Sequence, residues 1–173
     1  MPPNAEPPET RGDFRPGHVL LRTVDDTHAW GARLGALLKA GDLLLLTGEL
    51  GAGKTTLTQG IADGLCVRGP VTSPTYVIAR VHPSLAGGPD LVHVDAYRLG
   101  GLAELDDLDL DASLDAAVTI VEWGHGVAEH LSDGYLEVTL RGRDTRTVDL
   151  VGHGGRWTDP ATGEALDDLV SLA

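Results

Sequence analysis

Apolar residues gather into short runs and stripes along this chain, and the most compact run is Leu43-Leu44-Leu45-Leu46. It has the length of a strand and is bounded by polar residues. A glycine-rich turn, Gly48-Glu49-Leu50-Gly51-Ala52-Gly53, follows it, and then Leu57, Ile61 and Leu65 recur at helical spacing. Before this unit, Val19, Leu20 and Leu21 suggest a short strand within His18–Thr23. Asp25-Asp26-Thr27 then offers capping side chains, and Ala29, Trp30, Arg33, Leu34, Leu37 and Leu38 carry a helix that Gly41 closes. After it, Arg68-Gly69-Pro70 breaks the pattern, Tyr76–Val81 reads as β-rich, and Pro83–Pro89 reads as a flexible connection. Leu91–Asp95 is a second apolar strand, and Ala117–Glu122 a third. Both end on an acid.

Between those two strands, Leu102–Leu114 alternates apolar positions with Glu104, Asp106, Asp107, Asp109 and Asp111, most simply the solvated face of a helix. A short helix is expected to reach Leu131. Tyr135–Arg141 and Thr145–Val151 alternate on either side of Gly142-Arg143-Asp144 and predict an antiparallel hairpin. The head, residues 1–17, is rich in proline and is expected to be a disordered tail. Residues 152–173, glycine-rich and then acidic, are read as a C-terminal tail with no core role. The domain proper is then 18–151. Strands joined by helices predict an open α/β sheet, mostly parallel and made mixed by the hairpin, with ligands at the carboxyl ends of its strands.

Composition changes this picture only at the margins. The 173 residues suit one domain with a substantial aliphatic core, given 42% apolar and 4% aromatic residues. A formal charge of −13 argues against a chain that grips nucleic acid, DNA included, by itself. Cys66 stands alone, which excludes an internal disulfide, and it is expected to be small, buried and apolar. The histidines show no zinc-ligand spacing, and His93 is expected to pack beside the second strand. No apolar stretch has membrane-helix length and no secretory signal is read, so the chain is expected to be cytoplasmic.

The candidate chemistry lies at the strand ends. Gly48–Thr55 fits G-x-x-x-x-G-K-[ST], a pattern whose backbone N–H groups close around a phosphate with a helix N-terminus behind them. Glu49, Leu50, Gly51, Ala52, Gly53, Lys54, Thr55 and Thr56 are therefore candidate nucleotide ligands, with Lys54 suited to the β- and γ-phosphates and the Thr55 hydroxyl to Mg²⁺. A chance match is the competing reading, but lysine occurs only at Lys39 and Lys54, and a strand and a helix flank the motif. Asp95 can hold the Mg²⁺ water shell opposite Thr55, although an acid at a strand end is by itself more often a cap. Glu122 can deprotonate the attacking water or reach the metal; its competing role is a structural hydrogen bond. Trp123 either packs near the nucleotide or covers the sheet. Ser73-Pro74-Thr75-Tyr76 is placed as a loop that can sense the γ-phosphate through a hydroxyl such as that of Thr75, or else is an ordinary proline turn.

Together GELGAGKTT (Gly48–Thr56), VTSPTY (Val71–Tyr76), HVDAYRL (His93–Leu99) and VEWG (Val121–Gly124) resemble the bacterial TsaE (YjeE) ATPases in order and spacing. The resemblance implies a P-loop NTPase fold and an ATPase that uses ATP and Mg²⁺. It also implies work in a complex with the TsaB and TsaD proteins, of which TsaD transfers threonylcarbamoyl to adenosine 37 of tRNAs that read codons beginning with A. Hydrolysis would drive or reset that complex, and tRNA would be met only indirectly. Lys54 and Thr55 carry over as phosphate and metal ligands, Asp95 as the Walker B acid, and Ser73–Tyr76 as the switch loop. Glu122-Trp123 carries over as the family's Glu-Trp pair, with the acid needed for hydrolysis and the indole close to the nucleotide. Family members often have proline, or an acid shortly afterwards, following that pair; here Gly124-His125-Gly126 stands instead. The alternatives are a non-catalytic ATP-dependent scaffold and a small-molecule kinase, which usually needs an arginine-dense lid where this chain has scattered Arg68, Arg80 and Arg98. A GTPase is disfavoured because no N-K-x-D segment exists and Ala-Tyr-Arg follows Asp95.

Overall fold

The computed structural model of the chain describes residues 16–72, 79–98, 102–126 and 128–172. In chain order these form β1 (His18–Leu21), α1 (Val24–Leu37), β2 (Leu43–Gly48), α2 (Lys54–Leu65), β3 (Ala79–His82) and β4 (Asp90–Asp95). Then come α3 (Leu102–Asp106), α4 (Asp111–Leu114), β5 (Ala117–Glu122), β6 (Tyr135–Arg141), β7 (Arg146–His153) and α5 (Pro160–Ser171). The strands make a seven-stranded sheet in the order β1-β7-β6-β2-β5-β4-β3. β2 runs parallel to both β5 and β6, and β4 runs parallel to β5. β1, β3 and β7 pair antiparallel with their neighbours. The expected α/β fold with a mixed sheet and a C-terminal antiparallel hairpin is what forms.

β2 lies at the centre because its sequence lets both faces be buried. Leu44 and Leu46 enter one core cluster, with Trp30, Leu34, Leu57, Ile61 and Val138. Leu43 and Leu45 enter the other, with Val92, Val94, Leu110 and Val121. Successive side chains of a strand point to opposite faces, so four consecutive leucines serve two cores.

Helices α1 and α2 cover the first of these faces together, and they do so at unusually close range. A methyl group built on Gly35 would meet the Ile61 carbonyl oxygen at 2.3 Å, and one on Gly60 would meet that of His28 at 2.2 Å. Glycine at these positions lets the two backbones touch, which seats α2 and the loop that precedes it. The start of α1 departs from expectation. Thr23, rather than the Asp25–Thr27 group, is the cap, with its Oγ1 accepting from Asp26 N at 3.0 Å while Asp26 Oδ2 accepts from Thr23 N at 3.0 Å.

The expectation that residues 152–173 play no part in the core is corrected. His153 completes β7, and Trp157, Leu166 and Leu169 belong to the same buried cluster as Trp30 and Leu44. The Trp30 indole N–H donates to the Leu169 carbonyl at 3.3 Å. Arg156 grips the buried Asp42 carboxylate with Nε and Nη2, the former at 2.7 Å, and so ties this segment to the entrance of β2. Gly154 and Gly155, both at positive φ, make the reversal that aims the segment back at the sheet.

Cys66 is a second correction. It is exposed, because it occupies the left-handed cap position (φ 56°) that ends α2. Leu102–Leu114 forms two short helices rather than one, and Leu110 and Leu114 are buried.

Candidate active site

The phosphate-loop pattern folds as its residue types require. β2 ends at Gly48, residues 49–53 turn, and α2 starts at Lys54. Gly51 (φ 83°) and Gly53 (φ 101°) hold the left-handed conformations that bring the chain round, and Gly53 is the N-cap of α2. Lys54 is buried, and its ammonium donates to the carbonyls of Gly48 at 2.7 Å and Glu49 at 3.0 Å. The same ammonium lies 4.5 Å from the centre of the Trp123 ring. Burial pushes the Lys54 pKa down from the usual lysine value, and the nearby Glu122 and Asp95 carboxylates push back.

The two acids reach this loop through strand register. Asp95 and Glu122 are the last residues of adjacent parallel strands and face each other directly, while Leu46, near the end of β2, pairs with Glu122 on the other side. Both carboxylates therefore emerge at one edge of the sheet, beside Gly48. Their surroundings differ. Asp95 is half-buried and its Oδ1 accepts from Tyr97 N at 3.0 Å. Glu122 is buried and its Oε1 is bonded to His93 Nε2 at 2.8 Å. Trp123 follows at positive φ (59°), its indole tilted against the Tyr97 ring with centres 5.4 Å apart.

A cavity of about 590 Å³ lies over this edge. Of the residues expected to act, Leu50, Gly51, Gly53, Lys54, Thr55, Thr56, Asp95, Glu122 and Trp123 line it. Glu49 contributes its carbonyl to Lys54, and Ala52 is buried beneath the loop. Thr75, with the rest of Ser73–Tyr76, lies outside the described residues.

Two lining residues escaped the sequence reading, Tyr97 and Arg146. Arg146 opens β7, and its Nε–H donates to the Ala52 carbonyl at 2.9 Å, bracing the loop from a strand 94 residues away. Its signal was in the hairpin alternation: Arg146 is in phase with Val148 and Leu150, so it had to point inward with them. Tyr97 is exposed and follows Asp95 by two residues, and periodicity marks it with nothing.

The residues present suit a nucleoside triphosphate with Mg²⁺. The turn and helix N-terminus face the cavity with one buried lysine among them. Thr55 and Asp95 supply the hydroxyl and carboxylate oxygens that a hard cation takes. Among the described residues no group of three or more His, Cys, Asp or Glu gathers as a metal cage. Mg²⁺ takes one or two protein oxygens while phosphates and water complete its shell.

A family model described as threonylcarbamoyl adenosine biosynthesis protein TsaE matches residues 21–148, a span that contains every residue of this site. The chain belongs to the TsaE family. It is 58% identical over 134 residues to the Streptomyces coelicolor protein named tRNA threonylcarbamoyladenosine biosynthesis protein TsaE, covering 73% of this chain and 90% of that one. Identity to the Bacillus subtilis protein of the same name is 38% over 141 residues, or 79% of this chain and 87% of that one. The crystal structure of Bacillus subtilis YdiB superposes with a TM-score of 0.68 at 28% identity, over 94% of this chain and 99% of the other. Membership of TsaE places the chain in the biosynthesis of threonylcarbamoyladenosine in tRNA. No helix among the described residues is long and apolar enough to cross a membrane.

Proposed function

We propose that this chain is a Mg²⁺-dependent ATPase that serves the tRNA threonylcarbamoyladenosine pathway, hydrolysing ATP to drive or reset partners of the TsaB and TsaD type in the cytoplasm. It touches tRNA only through those partners, as a net charge of −13 suits. The observation that carries the reading is the in-register pairing of Asp95 with Glu122 at the edge where Lys54 and the phosphate loop meet.

Each residue then has a task its surroundings support. The N–H groups of the turn at 49–53 and the Lys54 ammonium bind the phosphates; Lys54 exchanges its bonds to the Gly48 and Glu49 carbonyls for phosphate oxygens. Thr55 and Asp95 hold Mg²⁺, which when bound neutralises charge building up on the phosphates. Glu122 takes the proton of the attacking water. Because His93 engages Oε1, that proton goes to Oε2. Trp123 and Arg146 wall the cavity, and Arg146 keeps the loop in shape through the Ala52 carbonyl.

The deciding experiment measures Mg-ATP hydrolysis by the pure protein, alone and with TsaB- and TsaD-type partners and tRNA. Slow turnover is expected, lost in both Lys54→Ala and Glu122→Gln, with Glu122→Gln still binding ATP. Unchanged turnover in Lys54→Ala would end the phosphate-loop reading. Binding without turnover in any combination would point to a scaffold, and phosphate delivered to an acceptor other than water to a kinase.

A further inference from the structure

We propose that His93 is a positioning residue for Glu122: its buried Nε2–H holds one carboxylate oxygen so that the other is presented to the cavity. The inference rests on the reading of Glu122 as proton acceptor given above, and it assigns a role to a histidine that the sequence marked only as packing beside its strand.

Strand geometry puts the pair together. Val92 and Val94 turn to one core, so His93 and Asp95 share the opposite face of β4. His93 lies opposite Ile120 and Asp95 opposite Glu122, which places the ring beside the Glu122 carboxylate at 2.8 Å. The contact is closed to solvent, with His93 at 0% and Glu122 at 4% exposure. Burying an imidazole is costly unless its polar atoms are matched. Here Nδ1 has no partner among the described residues. A proton on Nδ1 would be a buried donor without an acceptor, so the ring carries its proton on Nε2 and donates it to Glu122. An apolar side chain would fill the same space without leaving Nδ1 unmatched. Among the described residues, the polar atom that repays its burial is Nε2, and its partner is the acid.

The bond also settles a competition. Glu122 exerts its charge on the buried Lys54 ammonium. A carboxylate released from His93 would be drawn onto that ammonium, and the acid and the phosphate-binding lysine would then occupy each other. A planar ring anchored on β4 prevents this by holding the carboxylate in place.

The test uses the full-length protein with His93→Leu, His93→Gln, Glu122→Gln and the double variant His93→Leu/Glu122→Gln. Four readouts are taken: ATP hydrolysis, ATP affinity by tryptophan fluorescence, thermal midpoint, and the ring N–H resonance of His93 in ¹⁵N-histidine-labelled, nucleotide-free protein. His93→Leu should lower the maximal rate about 100-fold, the scale of a misplaced catalytic group, with ATP affinity unchanged. His93→Gln, whose amide can reach Glu122, should recover most of the rate. The double variant should hydrolyse no more slowly than Glu122→Gln alone, because His93 acts only through that acid. The resonance should be a slowly exchanging Nε2–H that moves in Glu122→Gln. If His93→Leu does not fold, His93→Asn replaces it, since its amide falls short of the acid and the rate should drop as for leucine.

A folded His93→Leu or His93→Asn that turns over at the wild-type rate would overturn the inference while leaving the ATPase reading intact. So would a further loss in the double variant, or a ring proton found on Nδ1. Wild-type turnover in Glu122→Gln would instead remove the assigned role of the acid, and the inference with it.

Discussion

The two flanks of β2 solve different problems. On one side β5 and β4 run parallel to it, and the two acids of the candidate site sit at their carboxyl ends, where Asp95 and Glu122 meet in register. On the other side β6 runs parallel, but β7 and β1 pair antiparallel, and that flank is covered by the segment from Trp157 to Leu169. The first flank supplies the acids. The second supplies bracing, and from it Arg146 reaches back to the loop. A phosphate loop at the centre of such a sheet is thus supported by chemistry from one direction and by packing from the other.

The comparison can be broken at several points. The largest effect expected is on the chemical flank: Glu122→Gln should cost about 10²–10⁴ in hydrolysis, the range for losing a general base, while ATP affinity holds in a binding titration. Loss of affinity with turnover retained would make Glu122 a binding residue. Next comes the bracing flank. Trp157→Ala should lower unfolding free energy by about 3–5 kcal/mol in urea, and Leu166→Ala by about 2–5 kcal/mol. Those are large shares of the ~5–15 kcal/mol typical of a domain. An unmoved midpoint would return residues 152–173 to the status of a tail. Arg146→Met tests the bridge between flanks. Losing a charged donor to the Ala52 carbonyl should cost about 1.5–3 kcal/mol. The cost should appear in ATP affinity more than in the melting curve if the bond serves the loop.

The smallest effect concerns the Lys54 ammonium itself. Its pKa in the folded chain is lowered by burial, so the unfolded chain holds this proton more tightly. Stability therefore rises with pH through the interval from the lowered value up to the usual 10.5, and the burial cost is borne in full below it. Lys54→Met should be at least as stable as the wild type near neutral pH in the absence of nucleotide. Its advantage should shrink as pH climbs toward 10.5, followed by chemical denaturation at each pH. An advantage that grew with pH would contradict the burial.

What the sequence by itself determined is local and periodic. Four leucines running into a glycine-rich turn and a lysine specify strand, loop and helix through backbone preferences that act within a few residues. The acids closing Leu91–Asp95 and Ala117–Glu122 were legible because strand ends are positions along the chain. Tertiary structure decided what depends on register and on contacts between distant segments. Periodicity could not say that Glu122 would lie opposite Asp95, that His93 would donate to Glu122, or that Arg146 would reach Ala52. It also hid the last segment. Gly152, Gly154 and Gly155 read as loose chain, yet a strand end and two positive-φ turns there aim Trp157 and Leu166 at the core. Cys66 was misplaced for a similar reason, because the left-handed cap that exposes it is set by where α2 must stop. Propensity acts between neighbours along the chain, whereas burial and partner choice are fixed only when the sheet closes the distance between them.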